Sequence, residues 1–375
     1  MAVVPLDVAR FMQDFTSYPV VDVRSEGEYL QAHIPNAVSL PLFNNEERKI
    51  VGTTYKQQSR EEAIKLGLDI LGGKMRKMVE AAEQITADPE NYQNTKKPLP
   101  GQHDNNKKTI VVHCWRGGMR SGGVAWLLDL YGFKVYTIAG GYKAYRNWVL
   151  QQFSKPYHFR ILGGYTGSGK TPTLLKMKGA GAITINLEGL AHHKGSAFGS
   201  MGMAKQPSQE MFENTLATNL AWATKSLQRS KQNPEDTDDM PIWLEDESQR
   251  IGNVNIPGEL WQTMRSAPVF FLDIPFEQRL KHIVEGYGKC SKEELINSII
   301  RIKKRLGGLE TKEAVNYLLE DDIEGSARIL LSYYDKLYAK ALTNRSTPGT
   351  NIQTIFCTEV DPATNAQKIL NFKHD

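Results

Sequence analysis

The chain has 375 residues, of which 40% are hydrophobic and 23% charged; this is ordinary for a soluble globular protein and suits two or three domains, each able to bury its own core. A net charge of +4 permits a nucleic-acid partner without demanding one, and three cysteines exclude a disulfide framework. No stretch approaches the roughly 20 apolar residues of a membrane span, and the N-terminus lacks the basic and apolar regions of a secretory signal, so a cytoplasmic protein without a membrane partner is expected.

In the first part of the chain, short β-branched runs alternate with amphipathic stretches. Strands are expected at Val20 to Val23, Ala37 to Leu40, Thr109 to His113 and Lys134 to Ile138, which reads as a parallel α/β sheet. Residues 88–108 are rich in Asn, Asp, Gln, Lys and Pro and predict a surface loop.

The strand ending at His113 runs into Cys114-Trp-Arg-Gly-Gly-Met-Arg-Ser121, with a helix expected from about Ser121. Two glycines let the loop curl into a nest of inward N–H groups. The next helix N-terminus, Arg116 and Arg120 add positive charge. Such surroundings favour a nucleophilic thiolate, so Cys114, Arg116 and Arg120 are the candidate catalytic residues. Cys290 and Cys357 have no such neighbours.

The link Gln151 to Tyr157 divides the chain into residues 1–153 and 154–375. A new strand, Phe159 to Gly163, leads into Gly164-Tyr-Thr-Gly-Ser-Gly-Lys-Thr171, followed by a helical run at Thr173 to Lys178. This is the P-loop pattern in its required setting. Gly164, Gly167, Ser168 and Gly169 cradle phosphates, Lys170 reaches the terminal oxygens, and the Thr171 hydroxyl is suited to Mg²⁺. Strands are next expected at Ala182 to Asn186 and Pro241 to Glu245. The latter delivers Glu245, Asp246 and Glu247 at its end as acidic site candidates. Spacing does not say which of the three points inward. After a strand at Pro268 to Asp273, residues from about 275 to 345 read as helical and basic. There Arg301, Lys303, Lys304 and Arg305 on the helix Lys292 to Leu306 are candidate phosphate contacts. A strand, Ile352 to Cys357, and a helix close the chain.

The motif His-Cys-x5-Arg-Ser is shared with cysteine phosphatases. However, Val21 to Ala37, with Asp22, Arg24, Glu28, His33 and Pro35, resembles the rhodanese N-terminal signature, departing from it at Ala32, where glycine is commoner. Ala139 to Tyr145 resembles a rhodanese C-terminal end. Asp22, Arg24 and His33 read as fold-stabilising. The Cys114 loop is one residue longer than the Cys-x4-Arg of common sulfurtransferases, which suits a phosphate-like or selenium-bearing donor.

A rhodanese-like parallel-sheet domain followed by a P-loop NTPase-like α/β domain with a helical C-terminal region resembles the bacterial tRNA 2-selenouridine synthases. The resemblance is carried by His113 to Ser121, Gly167 to Thr171, Leu187 to Ser196, Glu245 to Gly252 and Arg301 to Gly308. It implies conversion of wobble 2-thiouridine in tRNA to 2-selenouridine with selenophosphate, through an S-geranyl intermediate made from geranyl diphosphate. It further implies no tightly bound cofactor, an anticodon-loop partner and a separate enzyme that supplies selenophosphate. Trp115 is then a candidate for stacking on the base, with a place in the core as the competing role. His192, His193, Lys194 and Ser196 match the family motif without an assigned role. Two other readings stay open: a rhodanese sulfurtransferase fused to a P-loop ATPase as a sulfur relay, and a P-loop tRNA-binding module with a vestigial rhodanese domain.

Overall fold

The computed structural model describes residues 3–88, 108–230, 240–288, 290–345 and 351–372. Residues 89–107 of the expected surface loop lie outside them. Two compact units divide the chain, Met1–Gln151 and Gln152–Asp375.

The first unit holds five strands: β1 (Val4–Leu6), β2 (Val20–Asp22), β3 (Val38–Ser39), β4 (Thr109–His113) and β5 (Lys134–Ile138). They form one sheet in the order β1-β5-β4-β2-β3, with every pair parallel. β4 lies in the middle, and Ile110, Val111 and Val112 are fully buried, as a strand covered on both faces requires. β1 was not foreseen in the sequence. It has three residues, one of them Pro5, and a strand with a missing donor is tolerated only at an edge.

The rhodanese-like signature folds around one buried ion pair. Arg24 Nε donates to both oxygens of Asp22 at 2.9 Å, and its Nη2 donates to the Ala32 carbonyl at 2.8 Å. The guanidinium lies 3.8 Å from the centre of the Tyr142 ring. Both charged residues are buried, so each needs the other.

The second unit holds β6 (Phe159–Gly164), β7 (Ile183–Ile185), β8 (Ile242–Glu245), β9 (Arg250–Ile251), β10 (Val254–Asn255), β11 (Val269–Asp273) and β12 (Ile352–Phe356). Its main sheet runs β12-β11-β6-β8-β7, again all parallel. β9 and β10 form a small antiparallel ribbon that sequence patterning did not show. The expected helical region consists of helices Phe276–Tyr287, Lys292–Leu306, Gly308–Leu319 and Ile323–Arg345. In helix Lys292–Leu306 a Ser291/Glu294 capping box fixes the start. Leu295, Ile299, Ile302 and Leu306 point into a local core, and Arg301, Lys303, Lys304 and Arg305 lie on the exposed face. Among the described residues, no helix is long and apolar enough to cross a membrane.

Arg24→Ala is expected to destabilise the first unit by about 3–5 kcal/mol, because it strands the Asp22 carboxylate in the interior. Urea unfolding followed by tryptophan fluorescence measures this; a loss below about 1 kcal/mol would show that the pair is not a buried dependence.

Candidate functional site

Cys114 follows directly on β4, and the residues after it turn before helix Met119–Tyr131 begins. Cys114 is 3% exposed, whereas residues 115–119 are exposed. The glycine-rich segment after β5 clamps the loop from below. Tyr142 N–H donates to the Cys114 carbonyl and Lys143 N–H to the Trp115 carbonyl, both at 2.9 Å. A Cβ on Gly141, whose φ is +60°, would collide with the backbone of the loop. Glycine there is thus a packing requirement of the Cys114 site.

The Ser121 hydroxyl lies 3.2 Å from Cys114 Sγ and 3.1 Å from the Gly118 carbonyl. Its single proton can turn to the carbonyl when sulfur is a thiol and to the sulfur when it is a thiolate. Burial pushes the Cys114 thiol up. The Ser121 hydroxyl and the backbone N–H groups of Ser121, Arg116 and Gly118 outweigh this and hold it below its ordinary value. Arg116 therefore acts on the sulfur through its amide. The Arg120 guanidinium was expected to lend its charge to the cradle; instead it donates to Glu28 at 2.9 Å, and Glu28 also takes Arg48 at 2.9 Å. Glu28, a signature residue, is the counter-charge that sequence reasoning did not assign. Trp115 is 38% exposed and tilts against Tyr142, so it is not a core tryptophan.

In the second unit β6 enters the loop 165–169, and helix Lys170–Gly179 begins at the motif's lysine. Pro172 sits in the first turn, where its missing N–H costs nothing. Gly167 has φ +78°, and a Cβ on it would press on Ile283 and on the Arg279 carbonyl. Lys170 Nζ donates to the Gly164 carbonyl at 3.1 Å and lies 5.4 Å from the Tyr338 ring centre. Burial alone would lower the Lys170 pKa, but Tyr338, Glu247, Glu188 and Asp246 raise it above its usual value, so the ammonium stays charged.

β8 brings the acidic triplet to this loop. Glu245 and Glu247 are buried, and Asp246 is partly buried. Glu245 Oε2 accepts the Leu187 N–H at 2.8 Å, while its Oε1 has no hydrogen-bond partner. Burial, aided by Glu188, pushes the Glu245 carboxyl up to about 8. Glu247 is also raised, by burial and by Glu188. Glu188 belongs to the Leu187 to Ser196 motif and accepts the Thr171 hydroxyl. Nothing in the order of residues singles out Glu188 within that motif. The same holds for Arg279, which is 3% exposed. Arg279 donates to the Thr166 carbonyl at 3.1 Å and to Asp335 at 2.8 and 2.7 Å, tying the phosphate loop to helix Ile323–Arg345. In isolation Arg279 is one arginine among many, so only the fold could reveal it.

Among the described residues, no three His, Cys, Asp or Glu side chains converge tightly enough to hold a metal by themselves. The Thr171 hydroxyl with neighbouring carboxylates is an all-oxygen set that suits Mg²⁺ only when ligand phosphates complete it. On the basic helix, Arg301 donates to Ser298 Oγ at 3.1 Å. His193, whose pKa burial lowers, also feels the Arg301 charge.

Residues 157–354 match the family model for the tRNA 2-selenouridine synthase AAA domain, and residues 6–147 match that for the rhodanese-like domain. A tRNA 2-selenouridine synthase of Bdellovibrio bacteriovorus is 32% identical, covering 87% of this chain and 89% of that protein. One from a Sulfurovum species is 33% identical, covering 85% and 87%. One from Pseudomonas syringae pv. syringae is 32% identical, covering 88% and 89%.

The elevated Glu245 pKa has a direct consequence for anion binding. Below about 8 the carboxyl is neutral, and above it a new negative charge faces the phosphate loop. Affinity for inorganic pyrophosphate is therefore expected to hold at neutral pH and to fall as pH rises through about 8. Glu245→Gln, which keeps an acceptor for the Leu187 N–H, should make that fall shallower. Calorimetry across this pH range decides: superimposable curves for the two proteins would refute the assignment.

Proposed function

The chain belongs to the tRNA 2-selenouridine synthase family, and from that premise we propose that it exchanges the sulfur of wobble 2-thiouridine in tRNA for selenium. Selenophosphate supplies the selenium, and an S-geranyl base made from geranyl diphosphate is the intermediate. One observation carries the reading: a single chain holds two anion cradles of different build, a thiol-centred nest at Cys114 and a P-loop at residues 164–171.

The chemistry follows from that difference. A thiocarbonyl sulfur is a poor leaving group, whereas an alkylated sulfur leaves readily, so prenylation activates the base. The P-loop amides of Gly164, Gly167, Ser168 and Gly169 grip the diphosphate, and the Lys170 charge accompanies it as it departs. Thr171, with Glu188 and Asp246, would hold Mg²⁺, which when bound neutralises part of the diphosphate charge. Glu245, pushed up to about 8, stays protonated there at neutral pH and spares the site a negative charge, and burial raises Glu247 in the same direction. The donor's selenium bonds to C2 of the base as the C2–S bond breaks and the geranyl thiolate leaves. The Cys114 thiolate takes the phosphoryl group, its Sγ–P bond forming as the Se–P bond breaks, and water then releases phosphate, with the nest at Arg116 and Gly118 around the donor's anionic end and Arg120 framing the loop through Glu28. The wobble base lies in a loop and can splay out without melting a duplex, and Trp115 offers a face for stacking. Arg301, Lys303, Lys304 and Arg305 meet tRNA phosphates. No tightly bound cofactor is needed, a separate enzyme delivers selenophosphate, and the cytoplasm, where tRNA and reduced thiols are found, is the place of action.

Reversing charge at Arg301, Lys303 and Arg305 is expected to weaken tRNA binding and to flatten the slope of log affinity against log salt by up to about 3. An unchanged slope would remove this helix from the interface.

The two cradles are expected to divide the work. Lys170→Ala should slow geranylation of 2-thiouridine tRNA about a hundredfold or more, yet still add selenium to tRNA supplied with the S-geranyl group. Cys114→Ser should geranylate and stop there. Mass spectrometry of the wobble nucleoside reads both. Normal geranylation by Lys170→Ala, or loss of both steps in a folded Cys114→Ser chain, would refute the division. A chain that moves only sulfur, or that binds tRNA without altering it, would instead support a sulfur relay or a binding module.

A further inference from the structure

One cavity in the first unit plays no part in the chemistry assigned so far. Its volume is about 630 Å³, within the range of small-molecule sites. Helices Asn45–Gln57 and Arg60–Gly72 form its walls together with the start of helix Met119–Tyr131, the helix into which the Cys114 loop runs. The lining is mainly apolar. Leu42, Phe43 and Leu71 are buried at its base, while Tyr55, Leu68 and Met119 are 54%, 60% and 57% exposed. Isolated apolar residues on a surface are unremarkable, but three converging on one concavity leave apolar area for a ligand to cover. The rim is cationic: Arg48, Lys49, Lys56 and Arg120 line it. Arg48 and Arg120 share Glu28, whereas Lys49 and Lys56 stand on exposed positions of their helix.

We propose that this cavity receives the apolar chain of the S-geranylated wobble base, with its cationic rim facing the flanking tRNA phosphates. The inference rests on the function proposed above. An apolar hollow with a basic edge is complementary to a molecule that joins an apolar chain to a polyanion. Selenophosphate has no apolar part, and unmodified 2-thiouridine tRNA has no chain. Geranyl diphosphate carries the same chain, but every lining residue belongs to the first unit, and Met119 and Arg120 form the first turn of the helix into which the Cys114 loop runs. The subsite therefore belongs to the step assigned to Cys114. It gives that step a physical means of preferring the activated base over its 2-thiouridine precursor, since burying the chain is a gain that the precursor cannot make.

Gly52 offers a clean test. It lines the cavity, and a Cβ placed on it meets nothing within 4 Å. Gly52→Trp therefore adds bulk to the cavity wall at a position with room for its Cβ and replaces the poorest ordinary helix former. Leu68→Asp is the second variant; it makes the wall polar at a position already 60% exposed. With the full chain, KM and kcat are measured for selenation of S-geranyl-tRNA and, separately, for geranylation of 2-thiouridine tRNA with geranyl diphosphate. Thermal unfolding verifies that each variant is folded, and if Gly52→Trp does not fold, Leu68→Asp decides. We expect KM for S-geranyl-tRNA to rise about tenfold or more in both, while KM for geranyl diphosphate moves by less than about twofold. Unchanged selenation kinetics beside an active wild-type enzyme would overturn the subsite and leave the proposed function standing. A rise confined to geranyl diphosphate would overturn it as well, by giving the cavity to the other substrate. A wild-type chain that neither forms nor consumes S-geranyl-tRNA would overturn both.

Discussion

In each unit the loop with chemical potential leaves the C-terminal end of the middle strand of a five-stranded parallel sheet. β4 carries Cys114, and β6 carries the phosphate loop. Parallel strands send successive turns to the same edge and helix N-termini after them, so amide groups gather there. Everything anionic that either site is read to bind depends on that constraint. It also explains the glycines: a loop that must present backbone rather than side chains cannot carry a Cβ where Gly141 or Gly167 meets neighbouring main chain.

The two cradles then differ in how they handle charge. At Cys114 one buried sulfur is surrounded by amide donors and a hydroxyl, and the nearby arginine is held by Glu28, so the thiolate is stabilised by dipoles more than by a neighbouring cation. At the phosphate loop the situation is reversed. One buried ammonium faces Glu188, Asp246 and Glu247. Burying so many acids is costly, and the protein's response is to raise Glu245 and Glu247 above the usual carboxylate range. Arg279, bonded to both Thr166 and Asp335, fixes the loop to the helical region. A disturbance in helix Ile323–Arg345 therefore has a short physical route to the phosphate loop.

The function proposed here uses both cradles, and the cavity beside the Cys114 loop adds a third kind of recognition, for apolar surface. An anion nest alone discriminates poorly between a modified and an unmodified base. An apolar hollow does so through the area that the chain buries. Glu28 ties these parts of the first unit together, since it holds Arg48 and Arg120, both on the cavity rim, and Arg120 lies in the first turn of the helix that follows the Cys114 loop.

Much of this was legible in the residues in order. Strand positions follow from β-branched runs, and the two loops follow from glycine spacing beside a cysteine and a lysine, because loops of this kind are built from contiguous residues whose backbone geometry is local. The sequence also showed an acidic triplet at the end of β8 and a basic face on helix Lys292–Leu306. It did not show which acids are buried, because inward or outward orientation depends on what packs above the strand: Glu245 meets the Leu187 amide, 58 residues away in sequence. Nor did it show β1, a short edge strand ordered by pairing with the neighbouring strand β5. Glu188 beside Thr171, Arg279 across to Asp335, Glu28 between two arginines and the cavity under Tyr55, Leu68 and Met119 are all meetings of distant segments. Short-range pattern fixes what a backbone can do locally; burial, charge compensation and hollow space exist only once separate elements are packed together, and so the tertiary structure alone decided them.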